Sequence, residues 1–72
     1  MHIGQLIKQE LVNQNRLMDW FAEQLSCSHT DVYKLLNDAS IDTGLLFRIS
    51  DVLDVDFFKF YSDEFEKAVS GK

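Results

Sequence analysis

The 72-residue sequence predicts an all-α fold, a compact bundle of five helices that forms one domain. Apolar residues recur three and four positions apart along the chain, and no segment shows the strict alternation of a half-buried strand. The chain has no proline and only three glycines, so no segment is typical of a linker. We therefore expect a domain core at about residues 3–62, followed by a segment at 63–72 that extends the last helix or frays.

The first two helices are predicted at about Ile3–Gln14 and Met18–Leu25. Asn15 lies between them, and asparagine tolerates the left-handed conformation that often ends a helix. On the second helix, Ala22 is small enough to let a neighbouring helix approach closely. The apolar face of this helix consists of Met18, Phe21, Ala22 and Leu25.

The third helix has the clearest start signal, because Ser28 is a preferred N-cap residue and Asp31 stands three positions later, as in a capping box. The fourth helix is predicted to begin after a second cap, Asp42. The residues expected to face the core from these two helices are Val32, Leu35, Leu36, Leu45, Leu46, Ile49, Val52 and Leu53.

The fifth helix is predicted at about Asp56–Ser62, with Phe57, Phe60 and Tyr61 toward the core. By the same spacing, Phe47 and Phe58 fall outside the buried arcs of their helices. Burial against the tail is one explanation of these aromatics. The other is a subunit interface, in which aromatic residues are enriched. Phe47, Phe58 and Phe65 are therefore our candidates for a homodimer interface.

The composition excludes several classes of site. One cysteine and two distant histidines can form neither an intramolecular disulfide nor a four-ligand zinc site, so we expect no metal and no cofactor. Ser28 and His29 are neighbours that diverge by about 100° on a helix, so no nucleophile–base pair and no enzyme activity are expected. No apolar run approaches the roughly 20 residues of a membrane span, and no secretory signal is visible. We expect a soluble, cytoplasmic protein.

Residues 20–36 predict two short helices joined by a turn of only a few residues, which is a helix-turn-helix pattern. In such motifs the second helix enters the DNA major groove. Lysine can donate to guanine O6 and N7, and threonine can contact phosphate or a thymine methyl group. The alternative is an ordinary solvated helix face. The candidate DNA-contacting residues are Ser28, His29, Thr30, Tyr33, Lys34 and Asn37.

The net charge of −5 argues against a nucleic-acid partner, because DNA-binding domains usually carry a basic surface. The charge is unevenly distributed, however. Residues 1–36 hold four acidic and three basic side chains, a balance of −1, whereas residues 37–72 hold eight acidic and four basic ones, a balance of −4. The half that contains the helix-turn-helix pattern is thus nearly neutral.

The sequence resembles the lambda-repressor-like, phage Cro-type helix-turn-helix regulators, the XRE family. The matching elements are Ile3-Gly4, residues 21–25, the turn at residues 26–28, Val32 and Leu35, and the run at residues 45–58. The resemblance covers about residues 3–61. It implies a five-helix domain that binds double-stranded DNA, usually as a homodimer on a two-fold symmetric site.

The sequence departs from the family pattern at the ends of its helices. Ser26 stands where the family usually has glycine, and a positive φ there would cost serine about 1 kcal/mol. Asp38 replaces a common glycine after the third helix, where Asn37 is the expected left-handed residue. Leu17 and Met18 replace the polar residues that start the second helix and contact phosphate. A protein-interaction module on the same fold, without DNA binding, is therefore the second functional hypothesis.

Overall fold

Five helices in the predicted order make up most of the computed structural model, which describes residues 1–71. No strand occurs in this range, and none of its helices is both long enough and apolar enough to cross a membrane. The helices are α1 (Ile3–Asn13), α2 (Met18–Gln24), α3 (His29–Leu36), α4 (Thr43–Leu53) and α5 (Phe58–Ser70). Residue Lys72, the end of the segment predicted at 63–72, lies outside the described residues.

The core of the described chain is formed by α1 to α4 and by one aromatic residue that directly precedes α5. The predicted core residues of α2 to α4 are buried, apart from Met18, Leu35, Leu45 and Val52, which are half-buried around the core. The buried apolar side chains are Ile3, Ile7, Leu11, Phe21, Ala22, Leu25, Val32, Leu36, Leu46, Ile49, Leu53 and Phe57.

Three helices end in the same way, on a left-handed residue that is not glycine. Asn15, Ser26 and Asp54 have φ angles of 56°, 53° and 55°. After α2, the Ser26 N–H donates to the Glu23 carbonyl at 3.1 Å and the Cys27 N–H donates to the Ala22 carbonyl at 3.0 Å. This pair of bonds is a Schellman motif, which satisfies carbonyls at the end of the helix. The left-handed conformation predicted for Asn15 is confirmed.

Side-chain caps begin α3 and α4 as predicted. The Ser28 Oγ accepts the Asp31 N–H at 3.2 Å, and the Asp42 Oδ2 accepts the Leu45 N–H at 3.1 Å. The left-handed role predicted for Asn37 at the other end of α3 is wrong, because its φ is −90°. The end of α3 is stabilised instead by the first residues of the chain, as described below.

Helix α5 differs most from expectation. It begins at Phe58 and continues to Ser70, so residues 63–70 extend the helix. Phe57 is buried as predicted. Phe60 and Tyr61 were also predicted to face the core, but each is 37% exposed, and no residue of α5 is buried. The described chain measures 43 × 20 × 18 Å, with a radius of gyration of 12.9 Å. A compact domain of this length has a radius of gyration of about 11 Å, so the described chain is longer in one direction than a sphere of the same size.

Candidate nucleic-acid interface

Helices α2 and α3 are separated by four residues, numbers 25–28. The left-handed Ser26 reverses the chain after α2, and the Ser28 cap starts α3. Both helices contribute to the core, with Ala22 only 3% exposed and Val32 fully buried. Because Ala22 has little volume, α2 and α3 can lie close together at this point. Two short helices joined by a tight, hydrogen-bonded turn are therefore present at residues 18–36.

The outer face of α3 brings four of the six candidate residues together. At about 100° per residue, Thr30, Tyr33, Lys34 and Asn37 fall within an arc of about 100° on the side opposite Val32 and Leu36. All four side chains are exposed. The remaining two, Ser28 and His29, are also exposed but lie elsewhere, because Ser28 is the N-cap and His29 is at the edge toward α2.

The edge position of His29 has a specific partner. Its Nε2 lies 3.1 Å from Oδ1 of Asp19, which is on α2. Both side chains are largely exposed, so the pair adds little to stability. It does place a carboxylate beside the outer face of α3. This contact was missed by the sequence reasoning because it joins residues on two helices whose relative orientation only the fold reveals.

The end of α3 is held by the first turn of α1. The Gly4 N–H donates to the Asp38 carbonyl at 3.2 Å. A side chain at Gly4 would not fit, since a Cβ there would lie 2.4 Å from the Leu36 carbonyl oxygen. Glycine at this position thus permits the backbones of α1 and α3 to touch.

His2 contributes a second link between the same two helices. Its Nδ1 accepts the Gln5 N–H at 3.1 Å, which caps α1. Since Nδ1 is an acceptor, Nε2 carries the hydrogen and donates to the Asn37 carbonyl at 3.2 Å. His2 therefore satisfies a donor of α1 and an acceptor after α3 at once. The role of His2 was not predicted, because no local sequence pattern indicates its hydrogen bond to the distant Asn37 carbonyl.

The electrostatic surroundings of α3 are close to neutral. Residues 15–37 contain two basic side chains and three acidic ones, which leaves a balance of −1. Of the basic pair, the guanidinium of Arg16 lies 4.3 Å from the centre of the Trp20 ring, in a cation–π contact. Trp20 is also half-buried and packs against the core of the same molecule. Lys34 is the basic residue on the outer face itself.

Leu17 and Met18, at the start of α2, offer no side-chain donor to a phosphate. Leu17 is 73% exposed and makes no capping hydrogen bond, and Met18 packs partly against the core. Cys27 in the turn is half-buried and also packs against the core. Within residues 1–71, no three His, Cys, Asp or Glu side chains are grouped so that they could hold a metal ion.

The predicted interface aromatics lie on α4 and α5. Phe47 is 68% exposed and Phe65 is 69% exposed, whereas Phe58 is half-buried against the core and is not the exposed residue that was expected. Phe47 and Phe58 line one shallow groove, and Phe58 and Tyr61 line another. Phe47, Phe58 and Tyr61 are thus joined by shared grooves. The four-residue spacing of Tyr61, Phe65 and Val69 was the sequence signal that should have added Tyr61 and Val69 to the prediction.

Comparison of the chain with protein-family models, with curated proteins and with solved structures found no match.

Proposed function

We propose that this protein is a sequence-specific DNA-binding regulator of transcription that acts as a homodimer, with α3 in the major groove. The observation that carries the proposal is the exposed polar face of α3 directly after a four-residue turn. Thr30, Tyr33, Lys34 and Asn37 supply donors, acceptors and a methyl group, which are the groups that read base edges. Such a protein acts in the compartment that contains the DNA, which for this chain we take to be the cytoplasm.

The way in which α3 is held supports the proposal. Base readout requires a side chain to keep its position within a fraction of an ångström, and a site on a rigid element is more precise than one on a loop. The N-terminal end of α3 is capped by Ser28, and its C-terminal end receives hydrogen bonds after Leu36 from Gly4 and His2.

The test begins with selection of bound duplexes from a random DNA pool. Lys34→Ala is then expected to weaken binding to the selected duplex by about 1–3 kcal/mol and to relax sequence preference at one base pair. Lys8→Ala is the matched control, since Lys8 is an exposed lysine that belongs to α1 and not to α3. It should leave the preference unchanged. Fluorescence anisotropy over a salt series measures both variants.

The near-neutral charge around α3 also predicts how DNA binding should depend on salt concentration. Few phosphates are neutralised by each subunit, so log K should fall only shallowly with log salt and binding to bulk DNA should be weak. The proposal fails if no duplex in the selected pool competes better than bulk DNA. It also fails if the alanine variants of Lys34 and Lys8 lose affinity equally for all sequences.

A protein-interaction module on the same fold is the second candidate, favoured by the Asp19 carboxylate beside α3 and by the exposed Leu17 at the start of α2. Both groups are unfavourable next to phosphates, since one repels them and the other offers no donor. Failure to enrich any duplex, with a folded and stable protein, would support this candidate.

A further inference from the structure

Helix α2 places a carboxylate against a titratable side chain at the edge of the outer face of α3. Nε2 of His29 lies 3.1 Å from Oδ1 of Asp19. His29 is the first residue of α3 and lies about 40° around the helix from Tyr33, which is on the outer face. The His29 side chain is 56% exposed, so Asp19 covers only part of the ring. The rest of the imidazole is accessible to a ligand that contacts this end of α3.

The contact with Asp19 determines which nitrogen of the neutral His29 ring carries the hydrogen. An ionised carboxylate only accepts hydrogen bonds. A lone pair on Nε2 would therefore face the lone pairs of Oδ1 at 3.1 Å, which is unfavourable. With the hydrogen on Nε2, the lone pair of the neutral ring is on Nδ1. Nδ1 is thus the nitrogen left for a ligand, and Asp19 is a positioning residue.

Nδ1 offers opposite chemistry in the two charge states of the His29 ring. Histidine changes its charge between about pH 5 and 8. In the neutral ring Nδ1 accepts a hydrogen bond, which fits the amino groups of adenine and cytosine but not a phosphate. In the charged ring Nδ1–H donates, which fits a phosphate oxygen or the O6 and N7 atoms of guanine. His29 therefore presents a different group to DNA at acid pH.

The neighbours of His29 act on its charge in two directions. Carboxylates favour the charged ring, and the positive N-terminal end of α3 opposes it. Asp19 is the carboxylate in contact, whereas Lys34 lies about 140° away around α3. Bound DNA would add phosphate charges that favour the charged ring. The charged and titratable neighbours are Arg16 before α2, Asp19 and Glu23 on α2, Cys27 in the turn, and Asp31, Tyr33 and Lys34 on α3.

We infer that DNA binding by this protein is linked to protonation of His29, with Asp19 holding the ring in place. The charged ring donates from Nδ1 to an acceptor of the duplex, and its charge offsets the carboxylate of Asp19 beside the phosphates. Since the phosphates favour the charged ring, protons are taken up on binding. By linkage, the affinity for DNA rises as the pH falls through the range in which histidine titrates.

This role of His29 rests on the proposed function, because duplex DNA supplies the acceptor. Fluorescence anisotropy at constant ionic strength measures the affinity for the selected duplex from about pH 8 to about pH 5.5. The affinity of the wild type should rise by at least about fivefold over this range. Circular dichroism at both ends of the range checks that each variant keeps its fold.

Two variants separate charge from hydrogen bonding. His29→Gln should bind with the same affinity at both ends of the range, because glutamine donates and accepts but carries no charge. Asp19→Asn should bind more tightly than the wild type at about pH 8, where the carboxylate repels phosphate, and its pH profile should be flatter because the ring is no longer held. Glu23→Gln is the matched control, an exposed carboxylate one turn further along α2. It should shift the affinity equally at every pH.

The role of Asp19 is also tested on the free protein. Long-range proton–nitrogen correlation spectra at about pH 8 distinguish a hydrogen on Nε2 from one on Nδ1, and His29→Gln identifies the signals of His29. The wild type should carry the hydrogen on Nε2, and Asp19→Asn should increase the share of the Nδ1–H form. A wild type with the hydrogen on Nδ1 contradicts the positioning role.

The source of the acceptor follows from a comparison of duplexes. A phosphate acceptor strengthens binding to every duplex as the pH falls, whereas a guanine edge changes the preference at one base pair. An affinity that stays constant or falls in acid overturns the inference and leaves the proposed function intact, as does a pH dependence that persists in His29→Gln. A random pool that yields no preferred duplex at either end of the pH range removes the proposed function, and the inference with it.

Discussion

Helices α3 and α5 each carry candidate functional residues on an exposed face, but they differ in how firmly the rest of the molecule fixes their position. Helix α3 has eight residues, a side-chain cap at its start and hydrogen bonds from α1 at its end, and it buries Val32 and Leu36. Helix α5 has 13 residues and none of them is buried, although the Asp56 Oδ1 accepts the Phe58 N–H at its start, at 3.0 Å. The shorter helix is thus the better fixed one.

The difference in how α3 and α5 are fixed agrees with their different roles in the proposed function. A polar surface that reads base edges gains nothing from being covered, so its position must be set by contacts within the molecule. An apolar surface that meets a second copy is stabilised by that contact. Under the proposed function, the position of α3 would depend on contacts within the molecule, and α5 would depend on association with a second copy.

Breaking the fixation of α3 should cost more stability than any change made within α5. Gly4→Ala places a Cβ 2.4 Å from the Leu36 carbonyl oxygen and 2.6 Å from the Asp38 carbonyl oxygen, and backbone atoms cannot turn aside. We expect a loss of about 2–3 kcal/mol in the free energy of unfolding, although alanine is otherwise the better helix former. Urea denaturation followed by circular dichroism measures it.

Gly44→Ala is a matched control for this change. Gly44 is the second residue of α4, as Gly4 is of α1, but a Cβ there meets only the Asp42 side chain, at 3.1 Å. The change in stability should stay within about 1 kcal/mol. Equal losses at the two glycines would show that backbone contact between α1 and α3 does not limit stability.

A smaller change in the free energy of unfolding is expected from a substitution in the turn that leads into α3. Ser26 has a φ of 53°, so Ser26→Gly should raise the free energy of unfolding by up to about 1 kcal/mol. Glycine also adds freedom to the unfolded chain, which reduces the gain. Asn15→Gly is the comparison and should gain less, because asparagine tolerates this conformation. Thermal unfolding that ranks the two variants in the opposite order would contradict the strain assigned to Ser26.

The smallest effect is expected from α5. Phe65→Ala should change the free energy of unfolding of the monomer by no more than about 0.5 kcal/mol, because Phe65 contributes nothing to the core. Phe57→Ala, at a fully buried position eight residues earlier, should cost about 3–5 kcal/mol. Measurement at low protein concentration excludes a contribution from self-association. A large loss from Phe65→Ala under these conditions would mean that α5 packs on the domain after all.

The parts of the fold that sequence predicted are those determined by local chemistry. Ser28 and Asp42 carry oxygen atoms within reach of the backbone N–H groups three residues on, so their caps could be predicted from the residues alone. The buried arcs of α2 to α4 follow in the same way from helical spacing. That Thr30 and Lys34 lie on the same face of α3 could be predicted from the helical period alone.

Features that depend on a distant segment could not be predicted in this way. The left-handed residue assigned to Asn37 was wrong because α1 supplies the donors at that end of α3. Phe60 has the spacing of a core residue, but the core ends before α5 and leaves it 37% exposed. The carboxylate of Asp19 beside His29 likewise depends on how two helices cross.

The contact between Gly4 and the Asp38 carbonyl also bears on how the chain moves and when it becomes ordered. The first turn of α1 is synthesised before α3, and its partner lies more than thirty residues later, so neither end is complete until both have been made. Opening either end exposes the hydrogen bonds of the other, which makes α1 and α3 one cooperative unit in native-state fluctuations. The outer turns of α5 lie outside this unit and can open without disturbing α3.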